Sequence, residues 1–136
     1  MTVEHNIEEG TDFNPKFDKN GLIPAIAQDA RTGDILMMAY MSRESLELTI
    51  QTGYATYYSR SRQALWKKGQ ESGHFQKIMQ ILVDCDQDCL VLKVQVDSGQ
   101  CHVGYRSCFY RALEKDNSKK MVFIADKVYD PKETYK

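Results

Sequence analysis

Residues 90–96 read LVLKVQV. Leu90, Leu92, Val94 and Val96 alternate with Val91, Lys93 and Gln95, the period-two pattern of a strand with one apolar face turned inward. Upstream, FQKIMQILVDC at 75–85 is a second long strand, and the two runs flank the stretch DCDQDC, Asp84–Cys89. Working outward, LIPAIAQD (22–29) reads as a strand in which Pro24 is tolerable near an edge. ARTGD turns the chain, with Gly33 free to take a positive φ. ILMMAYM (35–41) is a nearly all-apolar strand, which predicts burial on both faces, and it closes a hairpin with the first. Ser42 is a good N-cap for RESLELTIQT (43–52), Glu44 favours its first turn, and Gly53 stops it. Within that helix, Leu46 and Ile50 share a face.

YATYYS (54–59) is β-branched and aromatic and reads as a strand. RSRQALWKKGQESGH (60–74) has no clean period and carries two glycines, so it reads as a long functional loop. CHVGYRSCFYRAL (101–113) begins as a loop and becomes regular near Cys108, and MVFIA (121–125) is one more apolar run. The sum is an α+β fold, a mainly antiparallel sheet with one or two short helices. It divides into a polar N-terminal arm (1–18), a domain over 19–116, and a tail (117–136) packed on that same domain.

Bulk properties narrow the function classes. With 136 residues, one domain is expected; 42% hydrophobic and 27% charged residues are globular values. A net charge of −1 gives no field for nucleic acid or a membrane surface. No apolar run reaches the roughly 20 residues of a membrane helix, and the acidic opening MTVEHNIEEG is no secretory signal. A cytoplasmic address follows, where four cysteines serve as ligands, nucleophiles or core residues rather than as disulfides.

Two groups carry chemistry. In an extended backbone Asp84, Asp86 and Asp88 would share one face, with Cys85 on the other. Carboxylates suit Mg²⁺ and thiolates suit Zn²⁺, and three like charges on one face repel unless a cation sits among them. Cys85, Cys101 and Cys108 follow the spacing C-x15-C-x6-C, which matches no compact zinc finger. Three protein ligands plus water would make a catalytic zinc site, and Cys89 as a fourth would close it. On spacing alone, cysteines as small buried hydrophobes remain an equal alternative. His102 follows Cys101, and His74 follows a Ser-Gly pair; both are candidates for proton transfer. Arg60, Arg62, Lys67 and Lys68 cluster around Trp66, with Gly69, Ser72 and Gly73 beside them and Arg106 and Arg111 close to the cysteines. Arginine forks and lysine charges suit phosphate, and tryptophan can stack on a base. The group describes a phosphorylated nucleotide bound near zinc; its bland alternative is a core tryptophan among solvated charges.

The blocks GLIPAIAQDARTGDILMMAYM, YYSRSRQALWKKGQESGHFQ, DCDQDCLVLKV and CHVGYRSCFYR together resemble the phosphoribosyl-AMP cyclohydrolases of histidine biosynthesis, over roughly residues 18–112. The resemblance implies a cytoplasmic, intertwined homodimer with active sites at the subunit interface. It implies zinc on Cys85, Cys101 and Cys108, shared between subunits, and magnesium on Asp84, Asp86 and Asp88, with Cys89 left to packing. The implied reaction hydrolyses the N1–C6 bond of phosphoribosyl-AMP. In it His102, then His74, are the first candidates for moving protons. Arg60, Arg62, Lys67, Lys68, Ser72 and Arg106 would contact substrate, with Trp66 near the base. Two positions depart from the usual family pattern: Gln70 stands where Glu is frequent, and Val103 where Thr is usual. Rival classes fit less well. A structural zinc module for RNA or protein would need a charge surplus and compact spacing, and other nucleobase deaminases carry H-x-E and P-C-x-x-C signatures that do not occur here.

Overall fold

The structure is a computed structural model and describes residues 8–97 and 99–134. In chain order it contains β1 (Leu22–Asp29), β2 (Ile35–Ser42), α1 (Arg43–Thr52), β3 (Thr56–Ser59), β4 (Ala64–Lys67), β5 (Lys77–Val83), β6 (Leu90–Gln95), β7 (Arg111–Glu114), β8 (Asn117–Phe123) and the short α2 (Pro131–Thr134). The first six strands form one sheet in the order β4-β3-β2-β1-β6-β5, and β7 and β8 form a separate two-stranded hairpin. Every pairing is antiparallel except β1 with β6. The α+β, mainly antiparallel expectation holds, with one parallel pair that it did not contain.

The alternation in β6 falls as read: Leu90, Leu92 and Val94 are fully buried. They meet Ile23, Ala25 and Ala27 of β1, Leu36, Met37 and Met41 of β2, Leu46 of α1, and Tyr57 of β3 in one core. Each of the leucine, isoleucine, valine and methionine side chains contributes about 1.5–3 kcal/mol when withdrawn from water. Pro24 lies in the central strand β1, not on an edge. It is accommodated because the β6 ladder begins one residue later, at Ala25 and Leu90, so Pro24 has a strand partner only in Tyr40 of β2.

Other expectations need correction. β2 is buried on one side only, since Ile35 and Met38 are exposed despite the unbroken apolar run. Ser42 caps α1 by accepting from Ser45 N–H, and Gly53 ends it at φ 78°. Its inner face, however, is Ser45, Leu46 and Thr49, while Ile50 is exposed. The 60–74 stretch is not one long loop. It contains β4, paired with β3 from Thr56–Lys67 to Ser59–Ala64 around a turn in which Gln63 takes a positive φ of 51°. The apolar run MVFIA is largely strand: Met121, Val122 and Phe123 belong to β8 and pair with β7, apart from the main sheet. No described helix is long and apolar enough to cross a membrane.

Candidate active site

A cavity of about 600 Å³ opens beside the β3–β4 hairpin. β4 and the turn after it supply Trp66, Lys67, Lys68 and Ser72, the hairpin tip supplies Arg62, and the 100–108 segment supplies Gln100, His102 and Cys108. Gly69 makes this closure possible. It sits at φ 95°, and a Cβ there would lie 2.5 Å from the Phe75 backbone nitrogen. Trp66 belongs to both core and cavity wall: its ring tilts on the core ring of Tyr57 at 5.2 Å, and it also lines the cavity.

Not every basic residue of the cluster reaches this wall. Arg60 lies outside the cavity lining, its guanidinium 4.1 Å from the Tyr40 ring centroid. The Lys67 ammonium lies over the rings of Tyr54 and Phe75 at 5.1 and 5.3 Å. Lys68 is buried, and its Nζ donates to the Gln100 carbonyl at 2.8 Å, so it is a fixed charge in the wall rather than a reaching arm. Burial lowers its pKa, against the opposing pull of Cys108 and Cys101.

All four cysteines are free thiols. Cys101 and Cys108 lie side by side. Desolvation and then the neighbouring Cys101 push the Cys108 thiol up to about 12, so the two thiols oppose each other's ionisation. Cys85 is elsewhere. It lies in the turn between β5 and β6, beyond the Val83–Leu90 pair, whereas Cys108 N–H donates to Leu36 O at the start of β2, with Met37 next to it level with Leu92 across β1. Along the strands that offset is about five residues, roughly 15 Å. One chain therefore brings two of the three predicted zinc ligands together and not the third.

The 101–108 loop is fastened to the β1–β2 turn. Arg106 donates to the carboxylates of Asp29 and Asp34, and to Thr32 Oγ1 at 3.2 Å; Ser107 Oγ donates to Ile35 O at 2.7 Å. Burial acts to raise the Asp29 pKa, but the Arg31 and Thr32 N–H groups and the Arg106 guanidinium outweigh it and hold the carboxyl below its usual range. Arg106 is thus a clamp on the cysteine loop, not a donor in the cavity wall. His102 is exposed on that wall. His74 is not among the lining residues. It meets Tyr129 edge-on at 4.7 Å, and its Nδ1 is the buried side-chain nitrogen or oxygen left without a partner among the described residues.

Asp84, Asp86 and Asp88 do converge, with one ligand atom from each within 4.8 Å of the others. The cause is not strand alternation. The segment is a turn in which Gln87 takes a positive φ of 60°, and Asp84 Oδ1 accepts from the N–H groups of Asp88 and Cys89 at 2.9 and 3.1 Å. All three carboxylates are exposed, as is Cys85 beside them. Hydrogen bonding with Asp86 and Asp84 pushes the Asp88 carboxyl up to about 6.

Residues outside the candidate set read from the sequence also belong to the site. Gln100, Gln70, Glu71, Ser59 and Ser61 line the cavity, and the buried Gln76 stands behind Gln100. Only adjacency to Cys101 could have singled out Gln100.

The sequence profile of phosphoribosyl-AMP cyclohydrolase matches residues 37–110, which include the whole cavity lining and the acidic turn. A protein of Methanococcoides burtonii named phosphoribosyl-AMP cyclohydrolase is 58% identical over 120 residues, covering 88% of this chain and 94% of that protein. One of Chloroherpeton thalassium with the same name is 59% identical over 119 residues, 84% of this chain and 85% of its own. Another, of Nitrobacter hamburgensis, is 48% identical over 135 residues, 97% and 92% of the two chains. The chain belongs to the phosphoribosyl-AMP cyclohydrolase family and is an enzyme of the hydrolase class.

Proposed function

We propose that this enzyme opens the adenine ring of phosphoribosyl-AMP at N1–C6 in histidine biosynthesis, in the cytoplasm, as a metal-dependent homodimer. The observation that carries the reading is the cavity wall, where Trp66 and cationic side chains stand together with His102 and Cys108 inside the family-matched segment. A base needs an aromatic face, and phosphates need donors such as Arg62 and Ser72.

The donor sets suit two different cations. Cys101 and Cys108 are soft ligands placed side by side, and Cys85, remote in its own chain, would come from a second copy. Asp84, Asp86 and Asp88 are a hard-cation set. When bound, zinc supplies a Lewis acid for the attacking water, and magnesium supplies positive charge for phosphate oxygens. The residues do the rest. In the net reaction the water oxygen bonds to C6, the N1–C6 bond breaks with its electron pair left on N1, one water proton ends on N1, and the other is released to solvent as the cationic ring becomes a neutral carboxamide. His102, exposed on the wall, accepts the water proton at a ring nitrogen and returns it to N1. Lys68 stays fixed as a positive wall charge.

Dimerisation is supported by the β7–β8 hairpin. A lone two-stranded ribbon is marginal in water, yet this one exposes Leu113, Met121, Phe123 and the following Ile124. A second copy would cover them. Incubation with phosphoribosyl-AMP, followed by the ultraviolet absorbance of the carboxamide product with and without chelator, tests the function. Chelator-sensitive product formation is expected, and absence of turnover under every metal condition defeats the proposal.

A further inference from the structure

Behind the cavity runs a buried chain of hydrogen bonds that no step above uses. Tyr57 OH donates to Gln76 Oε1 at 2.6 Å. Gln76 Nε2 donates to Gln100 Oε1 at 3.0 Å and touches Met37 Sδ at 3.2 Å. Gln100 then presents its main-chain carbonyl to Lys68 Nζ at 2.8 Å, and its N–H donates to Arg106 O at 3.0 Å. Tyr57 and Gln76 are fully buried, Gln100 nearly so, and Lys68 is 7% exposed.

This is an unusual use of a core. Tyr57 and Gln76 could each be replaced by an apolar side chain of similar size, and such replacement of both partners of a buried pair is nearly neutral in energy. Fully satisfied polar networks instead specify one arrangement. Here the arrangement has a direction. With its oxygen accepting from Tyr57, the Gln76 amide offers its nitrogen to Gln100, and that fixes the residue next to Cys101. The Gln100 carbonyl in turn decides where the Lys68 ammonium stands. Lys68, Gln100, His102 and Cys108 line the same cavity, so the chain runs from the centre of the sheet to the reacting wall.

We propose that Gln76 is a positioning residue: through Gln100 it holds the Lys68 ammonium on the cavity wall beside Cys101 and Cys108, where that charge serves turnover rather than substrate affinity. The inference rests on the proposed ring-opening reaction for its kinetic part only. A fixed charge that strengthens as charge develops at the reacting atoms lowers kcat when removed, whereas a phosphate contact raises KM.

The test uses the metal-loaded enzyme and phosphoribosyl-AMP. Lys68→Met is expected to lower kcat about 10²-fold with KM within about threefold. Gln76→Leu is expected to lower kcat about tenfold, and the double variant to be no slower than Lys68→Met alone, because both act through one group. Losses that multiply in the double variant, or an effect on KM alone, overturn the proposal. Tyr57→Phe removes only the hydroxyl that orients Gln76. It replaces Gln76→Leu in the same cycle if that variant does not fold, with a smaller loss of about threefold. A second readout needs no turnover. In ¹H–¹⁵N spectra of the metal-free protein, the Lys68 ammonium protons should be protected from exchange in wild type and lose that protection in the Gln76 or Tyr57 variant. An unchanged Lys68 signal overturns the positioning claim even if the enzyme is active. Wild type that fails to turn over phosphoribosyl-AMP, with the signal behaving as expected, defeats the proposed reaction instead.

Discussion

The guanidinium of Arg106 closes on the carboxylate of Asp29, a residue 77 positions earlier in the chain. Asp29 is 3% exposed and ends β1; Arg106 lies between Cys101 and Cys108. One ion pair thus ties the cysteine loop to the sheet, and Asp34 and Thr32 complete the grip. Arg106→Met should leave a buried carboxylate with only the Arg31 and Thr32 N–H groups as partners. A loss of about 2 kcal/mol is expected, since hydrogen bonds to charged groups contribute about 1.5–3. Thermal unfolding should show it as a fall in Tm of roughly 5–10 °C. An unchanged Tm would mean the clamp carries no load.

That pair also marks the boundary of what could be read beforehand. Local signals were legible: Ser42 and Gly53 bracket α1 because caps act within a few residues, and Leu90, Leu92 and Val94 point inward because alternation is a property of one strand. Partners distant in sequence were not. Nothing in LVLKVQV says that β6 runs parallel to β1, and nothing in ALWK says that four mixed residues become a strand once β3 lies beside them. The three carboxylates of the acidic stretch converge, but not by alternation: alternation presupposes an extended chain, whereas the left-handed Gln87 folds it into a turn. The charge of Lys68 and Arg106 is legible in the sequence, but charge type does not reveal that one is buried on a carbonyl and the other is engaged by carboxylates.

The acidic turn should make cation binding depend on pH. Asp88 keeps its proton up to about 6 because Asp86 and then Asp84 hydrogen-bond to it, while Asp84 itself is lowered; there burial pulls upward, but bonds from its neighbours prevail. The signs follow from the directions. A carboxyl raised in the folded state stabilises the metal-free protein at low pH, and that contribution is lost as pH rises through about 6. Magnesium must displace this proton below that value. Its apparent affinity should therefore fall about tenfold per pH unit below about 6 and level off above it. The gain in Tm on adding magnesium should grow over the same interval. Calorimetric titrations from pH 5 to 7.5 read the first effect, and a flat affinity would remove Asp88 from the site.

The proposed sharing of zinc between copies predicts complementation. Cys85→Ser and Cys101→Ser should each lose zinc and turnover as pure proteins. In a mixed dimer, one site combines Cys85 of the second variant with Cys101 and Cys108 of the first, and the other site lacks both. Co-expression and purification of the mixed species should restore about half of the wild-type zinc content and kcat, because one site of a two-fold pair is whole. Recovery of neither would mean that the three thiols are assembled within one chain or do not bind zinc together.

The two histidines should separate by what they affect. His102 is exposed on the cavity wall, and His102→Ala should lower kcat about 10²-fold with no change in Tm if it transfers the proton. His74 lies behind, edge-on to Tyr129, and its pKa is lowered by burial and by Lys68, with Asp97 opposing. A histidine lowered on folding binds its proton more readily when unfolded, so it costs stability as pH falls below its ordinary value of 6.5. His74→Phe keeps a ring against Tyr129 but removes that titration. Between pH 7.5 and 5.5 the variant should therefore lose less Tm than wild type, while its kcat stays within a few-fold. Equal acid-side losses in both proteins would show that His74 does not titrate on unfolding, and a 10²-fold drop in kcat for His74→Phe would transfer the proton-moving role from His102 to it.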